Sequence, residues 1–137
     1  MTGVQTCALP ISVVQAGIRS FSLEERKFLQ QQQKEPFYAE VSNSPDFVTR
    51  VVSALSSQVY VSIDLDVFDP SIMSAVGTPE PGGLSWQQVL ELLRAIAASK
   101  KILGFDLMEL CPREGPTSCA FLAAKLAYKL IGYATSL

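Results

Sequence analysis

The stretch that most constrains this chain is residues 59–70 (VYVSIDLDVFDP). Its first five residues are apolar and rich in β-branched side chains, interrupted only by Ser62, a pattern typical of a buried parallel strand. Asp64 and Asp66 follow at once, and Pro70 then ends the pairing because proline has no amide hydrogen to donate. Since residues i and i+2 of a strand point to the same side, the pattern predicts two adjacent carboxylates at a strand's carboxyl end.

Two interpretations of this aspartate pair are open. Two like charges held together repel each other, and a bound divalent cation is a common remedy. The aspartates could instead be turn residues that cap the next helix, because short D-x-D matches occur often by chance. The following loop, residues 77–84 (GTPEPGGL), favours the metal site, since its prolines and glycines suit a loop that holds one shape over a site.

Four motifs, in this order and at this spacing, resemble those of the ureohydrolase family (arginase, agmatinase and relatives). They are residues 62–70 (SIDLDVFDP), 77–83 (GTPEPGG), 104–110 (GFDLMEL) and 111–117 (CPREGPT). The resemblance extends from about Val13 to the end of the chain, and within the family it is greatest to the agmatinases. It implies an arginase-like α/β fold of three layers (αβα) with a mainly parallel sheet, truncated at the N-terminal side.

The resemblance also implies a site and a reaction. Asp64 would bridge both ions of a binuclear manganese (Mn²⁺) centre and Asp66 would bind one of them. The reaction would be hydrolysis of a guanidino carbon–nitrogen bond, most simply agmatine to putrescine and urea, for which two metals can activate water. Glu109 would hold the guanidinium by two parallel hydrogen bonds, and Thr78 would offer a polar contact to the substrate. From the residues alone, Glu109 could instead pair with Arg113, and Thr78 could be only a turn residue.

The composition predicts a globular protein and gives no sign of a nucleic-acid-binding or membrane protein. A length of 137 residues and a net charge of −2 predict one modest globular domain. No basic cluster with interleaved aromatics indicates a nucleic-acid partner, and no apolar run is long enough for a membrane span. The cysteines, Cys7, Cys111 and Cys119, lack C-x-x-C spacing and predict neither a disulfide framework nor a zinc site. We therefore expect a cytoplasmic protein in which Cys111 and Cys119 are core thiols.

The chain contains no histidine. In the ureohydrolase family, histidines and further aspartates from an earlier part of the polypeptide complete the metal site. The resemblance therefore implies that residues 13–137 are the C-terminal half of a ureohydrolase domain, with no catalytic proton-transfer residue in this chain. Residues 1–12 have no family likeness, and we expect an artefactual leader there. The alternative to a working enzyme is an inactive fragment or a module that binds metal weakly; complete members of the family form trimers or hexamers.

Strand-like and helix-like segments alternate along the chain. Strands are expected at 13–18, 37–41, 59–63 and 102–110, and helices from about Leu23, after Ser44, after Ser85, and from Ser118 to about Tyr133. Ser22-x-x-Glu25 and Ser85-x-x-Gln88 are capping boxes, and Ser44-Pro45-Asp46 has a cap, an N1 proline and an acid in the favoured order. The alternation predicts βαβ units, a parallel sheet and helices on both of its faces.

The candidate site residues fall where such folds bind ligands. Asp64, Asp66 and Glu109 all lie at the carboxyl ends of predicted strands. Asp69 and Glu80 are interpreted as structural acids that bond loop amides, and Asp106 as a buried hydrogen-bonding carboxylate. The last helix is expected to bury Phe121, Leu122, Leu126, Leu130 and Ile131. A glycosyltransferase would need an upstream nucleotide site that the sequence lacks, and a receiver-type phosphoacceptor domain would need a lysine in place of Glu109.

Overall fold

A computed structural model describes residues 12–31 and 36–135. Strands and helices alternate in the predicted way: β1 (Ala16–Ile18), α1 (Leu23–Gln31), β2 (Phe37–Tyr38), α2 (Phe47–Ala54), β3 (Gln58–Asp64), α3 (Trp86–Ser99), β4 (Lys101–Met108) and α4 (Thr117–Thr135). Short 3₁₀ turns occupy Ala39–Val41 and Leu65–Val67. The expectations for the leader and for Cys7 lie outside the described residues. Within the described ranges, no helix has both the length and the apolar character needed to cross a membrane.

The strands pair in parallel, as predicted, but in two separate two-stranded sheets. β1 pairs with β2, and β3 pairs with β4 from Gln58 opposite Lys101 to Asp64 opposite Met108. Because β3 and β4 run in the same direction, their carboxyl ends meet at one edge. That edge carries Asp64 on β3 and Glu109 directly after β4.

β3 is not buried on both faces, and the prediction of a fully buried strand is wrong. Its side chains alternate, with Val59 and Ile63 buried and Tyr60, Ser62 and Asp64 exposed. The exposed face of the β3–β4 pair is held by polar contacts instead of apolar ones, since the Tyr60 hydroxyl and the Ser62 hydroxyl both donate to Asp106, at 3.0 and 2.6 Å. The buried face of the β3–β4 pair is instead covered by α3 and α4.

The core lies between the β3–β4 pair and the helices α3 and α4. The apolar stripe of α3 buries Val89, Leu90, Leu93 and Ile96, and its start has the predicted capping box between Ser85 and Gln88. Such a cap stabilises a helix by about 1 kcal/mol. On α4 the buried set is Cys119, Ala123, Leu126 and Leu130. The prediction for Phe121 and Ile131 is wrong, because both lie on the outer face of α4, where they are 72% and 54% exposed.

Two smaller expectations also change. The segment 37–41 is a two-residue strand followed by a 3₁₀ turn, not one strand. α2 begins at Phe47 after Asp46, and neither the Ser44 nor the Asp46 side chain accepts a hydrogen bond from its amides, because the Ser44 hydroxyl donates to the Asp46 carboxylate instead. The predicted capping box at Ser22 is confirmed: the Ser22 amide donates to Glu25 at 2.6 Å, and the Glu25 amide donates to the Ser22 hydroxyl at 3.2 Å.

The glycine loop (residues 77–83) is closed at its base by backbone and side-chain hydrogen bonds. The Leu84 amide donates to Val67 at 2.8 Å, and the Asp69 amide donates to Leu84 at 3.1 Å. The Asp69 carboxylate accepts from the amides of Ser71 and Gly82, each at 3.0 Å. The structural role predicted for Asp69 is therefore confirmed, and its partners fix the loop beside the end of β3.

Gly83 gives the first prediction, because its backbone lies against the chain at Phe68 and Asp69. A Cβ at position 83 would lie 2.4 Å from the Phe68 carbonyl carbon and 2.5 Å from the Asp69 nitrogen. We expect Gly83→Ala to lower the free energy of unfolding by about 1–3 kcal/mol in chemical denaturation, since backbone atoms must move. Gly132→Ala on α4 is the matched control: it meets nothing within 4 Å, and should raise stability by about 0.5–1 kcal/mol. Equal stability of the wild type and Gly83→Ala would contradict the close packing of Gly83 against the backbone of Phe68 and Asp69.

Asp69 gives the second prediction. Hydrogen bonds from Ser71, and then from the Gly82 amide, hold the pKa of Asp69 below its ordinary value of 3.8. A carboxyl group whose pKa is lowered by folding stabilises the fold above its unfolded pKa, and this contribution is lost as the pH falls through the folded pKa. Asp69→Asn should therefore be less stable than the wild type at pH 7, with the difference shrinking below about pH 4. A difference that stayed constant from pH 7 to pH 3 in thermal melts would show that the charge of Asp69 is not responsible.

Candidate metal centre

Asp64 and Asp66 stand together at the carboxyl end of β3, but not by strand alternation. Asp64 is the last residue of β3, and Asp66 lies within the 3₁₀ turn Leu65–Val67, which we call the aspartate turn. The Asp64 carboxylate accepts a hydrogen bond from the Asp66 amide at 3.1 Å and so acts as the N-cap of this turn. The turn brings the two side chains together. The capping interpretation is confirmed for Asp64, and the metal interpretation stays a prediction.

The electrostatics of Asp66 show that the acids of this edge interact. Burial raises the pKa of Asp66 above its ordinary value, and the negative charges of Asp64 and Glu109 raise it further. The charge of Arg19 opposes these effects and lowers the same pKa. Three carboxylates from two strand ends therefore share one edge, and their mutual repulsion would be relieved by a bound cation.

Glu109 is held in an unusual backbone conformation at this edge. It follows the last residue of β4 and has a φ of 68°, the left-handed region that residues other than glycine rarely adopt. Its side chain is directed toward the glycine loop, since a Cβ at Gly77 would lie 3.3 Å from Glu109 Oε2. No ion pair joins Glu109 to Arg113 in the described part of the chain. A strained backbone that aims an acid at a loop is a feature of functional sites.

Thr78 is exposed in the glycine loop, next to the glycine that faces Glu109. The structure therefore brings Asp64, Asp66, Glu109 and the loop of Thr78 to one edge. The roles of Asp64 and Asp66 as metal ligands, and of Glu109 and Thr78 as substrate contacts, stay predictions.

The remaining acids of the region have structural partners. Asp106 is half-buried, not fully buried as predicted, and its hydrogen bond from Tyr60 raises the pKa of the tyrosine. Glu80 does not bond loop amides: its carboxylate accepts from the Ser20 hydroxyl at 2.7 Å, because β1 ends beside the glycine loop. Cys119 is buried and Cys111 is half-buried, and both are free thiols.

Arg19 is the residue of this edge that sequence reasoning missed. It follows β1, and its guanidinium donates to the backbone carbonyls of Asp66 and Glu80. The signal in the sequence was its place directly after a predicted parallel strand, which puts it at the same edge as the acids.

The donor set fits a hard divalent cation only in part. Carboxylate oxygens suit Mn²⁺, and Asp64 and Asp66 supply two such groups. No group of three or more His, Cys, Asp or Glu side chains in residues 12–31 and 36–135 is arranged to hold one ion. The described side chains thus fit as a portion of a metal site, and a complete site needs further ligands.

The chain is similar to known proteins over most of its length. The sequence pattern of the Arginase family matches residues 4–132. The N(1)-aminopropylagmatine ureohydrolase of Synechocystis sp. is 39% identical over 127 residues, which are 91% of this chain and 42% of that protein. The agmatinase of Pyrococcus horikoshii is 42% identical over 122 residues, which are 89% of this chain and 43% of that protein. The chain spans less than half the length of these relatives.

The fold agrees with the sequence match. The solved structure of arginase from Bacillus caldovelox superposes with a TM-score of 0.79 at 27% identity, over 87% of this chain and 42% of that one. The arginase-like α/β fold expected from the motifs is thereby confirmed. Because the family pattern matches nearly all of the sequence and the described residues share the family's fold, this chain belongs to the arginase family.

Proposed function

We propose that this chain forms part of a manganese-dependent ureohydrolase that hydrolyses a guanidino carbon–nitrogen bond and releases urea and an amine. The observation that carries the proposal is the edge at which Asp64 and Asp66 end β3 and Glu109 follows β4, beside the glycine loop. Agmatine, giving putrescine and urea, is the substrate we favour. Two of the similar relatives are named for agmatine and for aminopropylagmatine, which supports that choice.

In this proposal Asp64 and Asp66 are the carboxylate ligands of a binuclear manganese centre. The hydrogen bond from the Asp66 amide orients the Asp64 carboxylate, as outer-shell partners do for metal ligands. The two ions, when bound, would activate water for attack on the guanidino carbon. The ligands that Asp64 and Asp66 cannot supply would come from polypeptide that the longer relatives possess and this chain does not contain.

Glu109 is the proposed guanidinium contact. A carboxylate can accept two parallel hydrogen bonds from a guanidinium, which fixes the plane of the substrate as well as its charge. The left-handed backbone at Glu109 turns its side chain toward Gly77, so a substrate there would lie beside Thr78.

We also propose that the complete protein is a cytoplasmic homo-oligomer, a trimer or a hexamer. Free thiols at Cys111 and Cys119 suit a reducing compartment. The outer face of α4 exposes Phe121 and Tyr128, each at 72%, and exposed apolar surface of this kind is typical of interfaces.

A second candidate is that the chain by itself is an inactive module that binds metal weakly. The observation that favours it is that residues 12–31 and 36–135 hold no group of three or more His, Cys, Asp or Glu side chains that could bind an ion, where a two-metal site needs a larger ligand set. Both candidates are tested by one comparison. Urea release is measured for the 137-residue chain, and for the same chain preceded by the N-terminal portion of the Pyrococcus horikoshii agmatinase.

The third prediction is the result of this comparison. The chain alone should release no urea from agmatine above background and should bind Mn²⁺ more weakly than micromolar, because its ligand set is incomplete. The extended protein should show Mn²⁺-dependent urea release that Asp64→Ala abolishes. Submicromolar Mn²⁺ affinity of the chain alone, or urea release by it that Asp64→Ala removes, would contradict the incomplete site.

The fourth prediction concerns Glu109 in the extended protein. Glu109→Gln keeps the size of the side chain and removes the charge that faces the guanidinium. The loss of such a contact should cost about 2–4 kcal/mol of transition-state stabilisation, a fall in kcat/KM of about 30-fold to 1000-fold. Bound manganese should be unchanged, because Glu109 is not a proposed ligand.

Glu114→Gln is the matched control, since Glu114 is an exposed acid five positions along the same connection to α4 and should leave kcat/KM unchanged. If Glu109→Gln lost manganese while the metal-loaded remainder kept full activity, Glu109 would be a ligand and its assignment here would be wrong.

A further inference from the structure

Arg19 joins two loops that are far apart in the sequence. Its Nη2 atom donates to the backbone carbonyl of Asp66 at 2.5 Å and to that of Glu80 at 2.9 Å, and its Nε atom donates to Glu80 at 3.2 Å. The first carbonyl belongs to the aspartate turn and the second to the glycine loop, 47 and 61 residues along the chain. One guanidinium therefore sets the distance between the turn that carries Asp66 and the loop that carries Thr78.

The charge of Arg19 is matched by carbonyl dipoles and not by a carboxylate. Among the described residues, no ion pair joins Arg19 to Asp64, Asp66 or Glu109. The hydrogen bonds from the guanidinium to the carbonyls of Asp66 and Glu80 leave the carboxylates of Asp64 and Asp66 available to a ligand.

The surroundings of Arg19 fix it in place. Ser20, the next residue, donates to the Glu80 carboxylate at 2.7 Å, so consecutive residues bond the same point of the glycine loop. Gly17 lies against the aspartate turn: it has a φ of 82°, and a Cβ there would lie 2.5 Å from Val67 Cγ2. The end of β1 is therefore seated on the aspartate turn, and Arg19 cannot move away without moving both.

We propose that Arg19 is a positioning residue for the candidate metal centre, whose forked guanidinium holds the aspartate turn and the glycine loop at a fixed separation. The proposal rests on the proposed function, since it assumes that Asp66 and the glycine loop serve one site. The proposal depends on the forked shape of the Arg19 guanidinium. A planar guanidinium can bond two carbonyls at once in a set geometry, whereas a lysine ammonium is a point charge on a flexible stem.

The test compares Arg19→Lys and Arg19→Met with the wild-type chain. Arg26→Met is the control, because Arg26 is an exposed arginine on α1. Two quantities are measured on the 137-residue chain: the apparent Kd for Mn²⁺, from the paramagnetic resonance signal of free Mn²⁺, and the hydrogen-exchange rates of the Gly82 and Leu84 amides. These amides bond Asp69 and Val67, so their exchange reports whether the loop stays closed. Thermal melts give the folded fraction of each variant, by which the Mn²⁺ affinity and the exchange rates are corrected.

Arg19→Lys keeps the charge and removes the fork. We expect Mn²⁺ binding about 2-fold to 12-fold weaker, the equivalent of one hydrogen bond, with faster exchange of both amides. Arg19→Met should also bind Mn²⁺ more weakly, although it removes a positive charge that opposes a cation. Arg26→Met should match the wild type in both measurements.

Three results would overturn the proposal. Arg19→Lys could equal the wild type in affinity and exchange, which would show that the fork is not needed. Arg19→Met could bind Mn²⁺ more tightly, which would show that Arg19 acts only as a repelling charge. The Arg19 variants could melt at a lower temperature while their folded fraction binds Mn²⁺ with unchanged affinity. That result would show that Arg19 only stabilises the fold in general.

The results that would count against the proposed function differ from those that would count against the role of Arg19. A wild-type chain that binds no Mn²⁺ at millimolar concentration would count against the metal site itself. The exchange rates of Gly82 and Leu84 would still decide the role of Arg19, since slow exchange that is kept in Arg19→Lys would overturn it and faster exchange would support it.

Discussion

The structure depends on the parallel pairing of β3 with β4. That register sets Asp64 opposite Met108, and so brings the acid that ends one strand beside the acid that follows the other. A shift of one residue would turn Val59 and Ile63 to the open face and move their polar neighbours into the core. The burial of those two side chains against α3 and α4 therefore fixes the position of the candidate ligands. Packing and chemistry are set by the same register.

Much of this could be predicted from the sequence, because the signals were local. The capping boxes at Ser22 and Ser85 depend on residues three positions apart, and both form as predicted. The prediction that Asp69 bonds loop amides is confirmed by its contacts with the Ser71 and Gly82 amides. The four motifs predicted the family and the arginase-like fold, which the comparisons confirm.

The rest depends on contacts that no local pattern records. Asp64 and Asp66 were expected to align by strand alternation, but the strand ends at Asp64 and a 3₁₀ turn orients Asp66. The face of α4 that meets the core was misjudged because α4 is apolar around most of its circumference, so periodicity could not choose between Ala123 and Phe121. Arg19 was missed because its partners are backbone carbonyls, so its place directly after β1 indicated the edge but not the contacts. The ligand and substrate roles of Asp64, Asp66, Glu109 and Thr78 are still predictions.

The long crossover between β3 and β4 has a consequence for the order of folding. Ser62 and Asp106 meet across the two strands although they are 44 residues apart in the chain, and the 14 residues of α3 lie within that interval. Loop closure over that distance costs entropy before the strand contacts repay it, whereas α3 and its capping box form from neighbours. We expect α3 to be present in the folding transition state and the β3–β4 pairing to complete late. The acidic edge would then assemble in a single late step, so a nascent chain would offer no preformed cation site before its sheet closes.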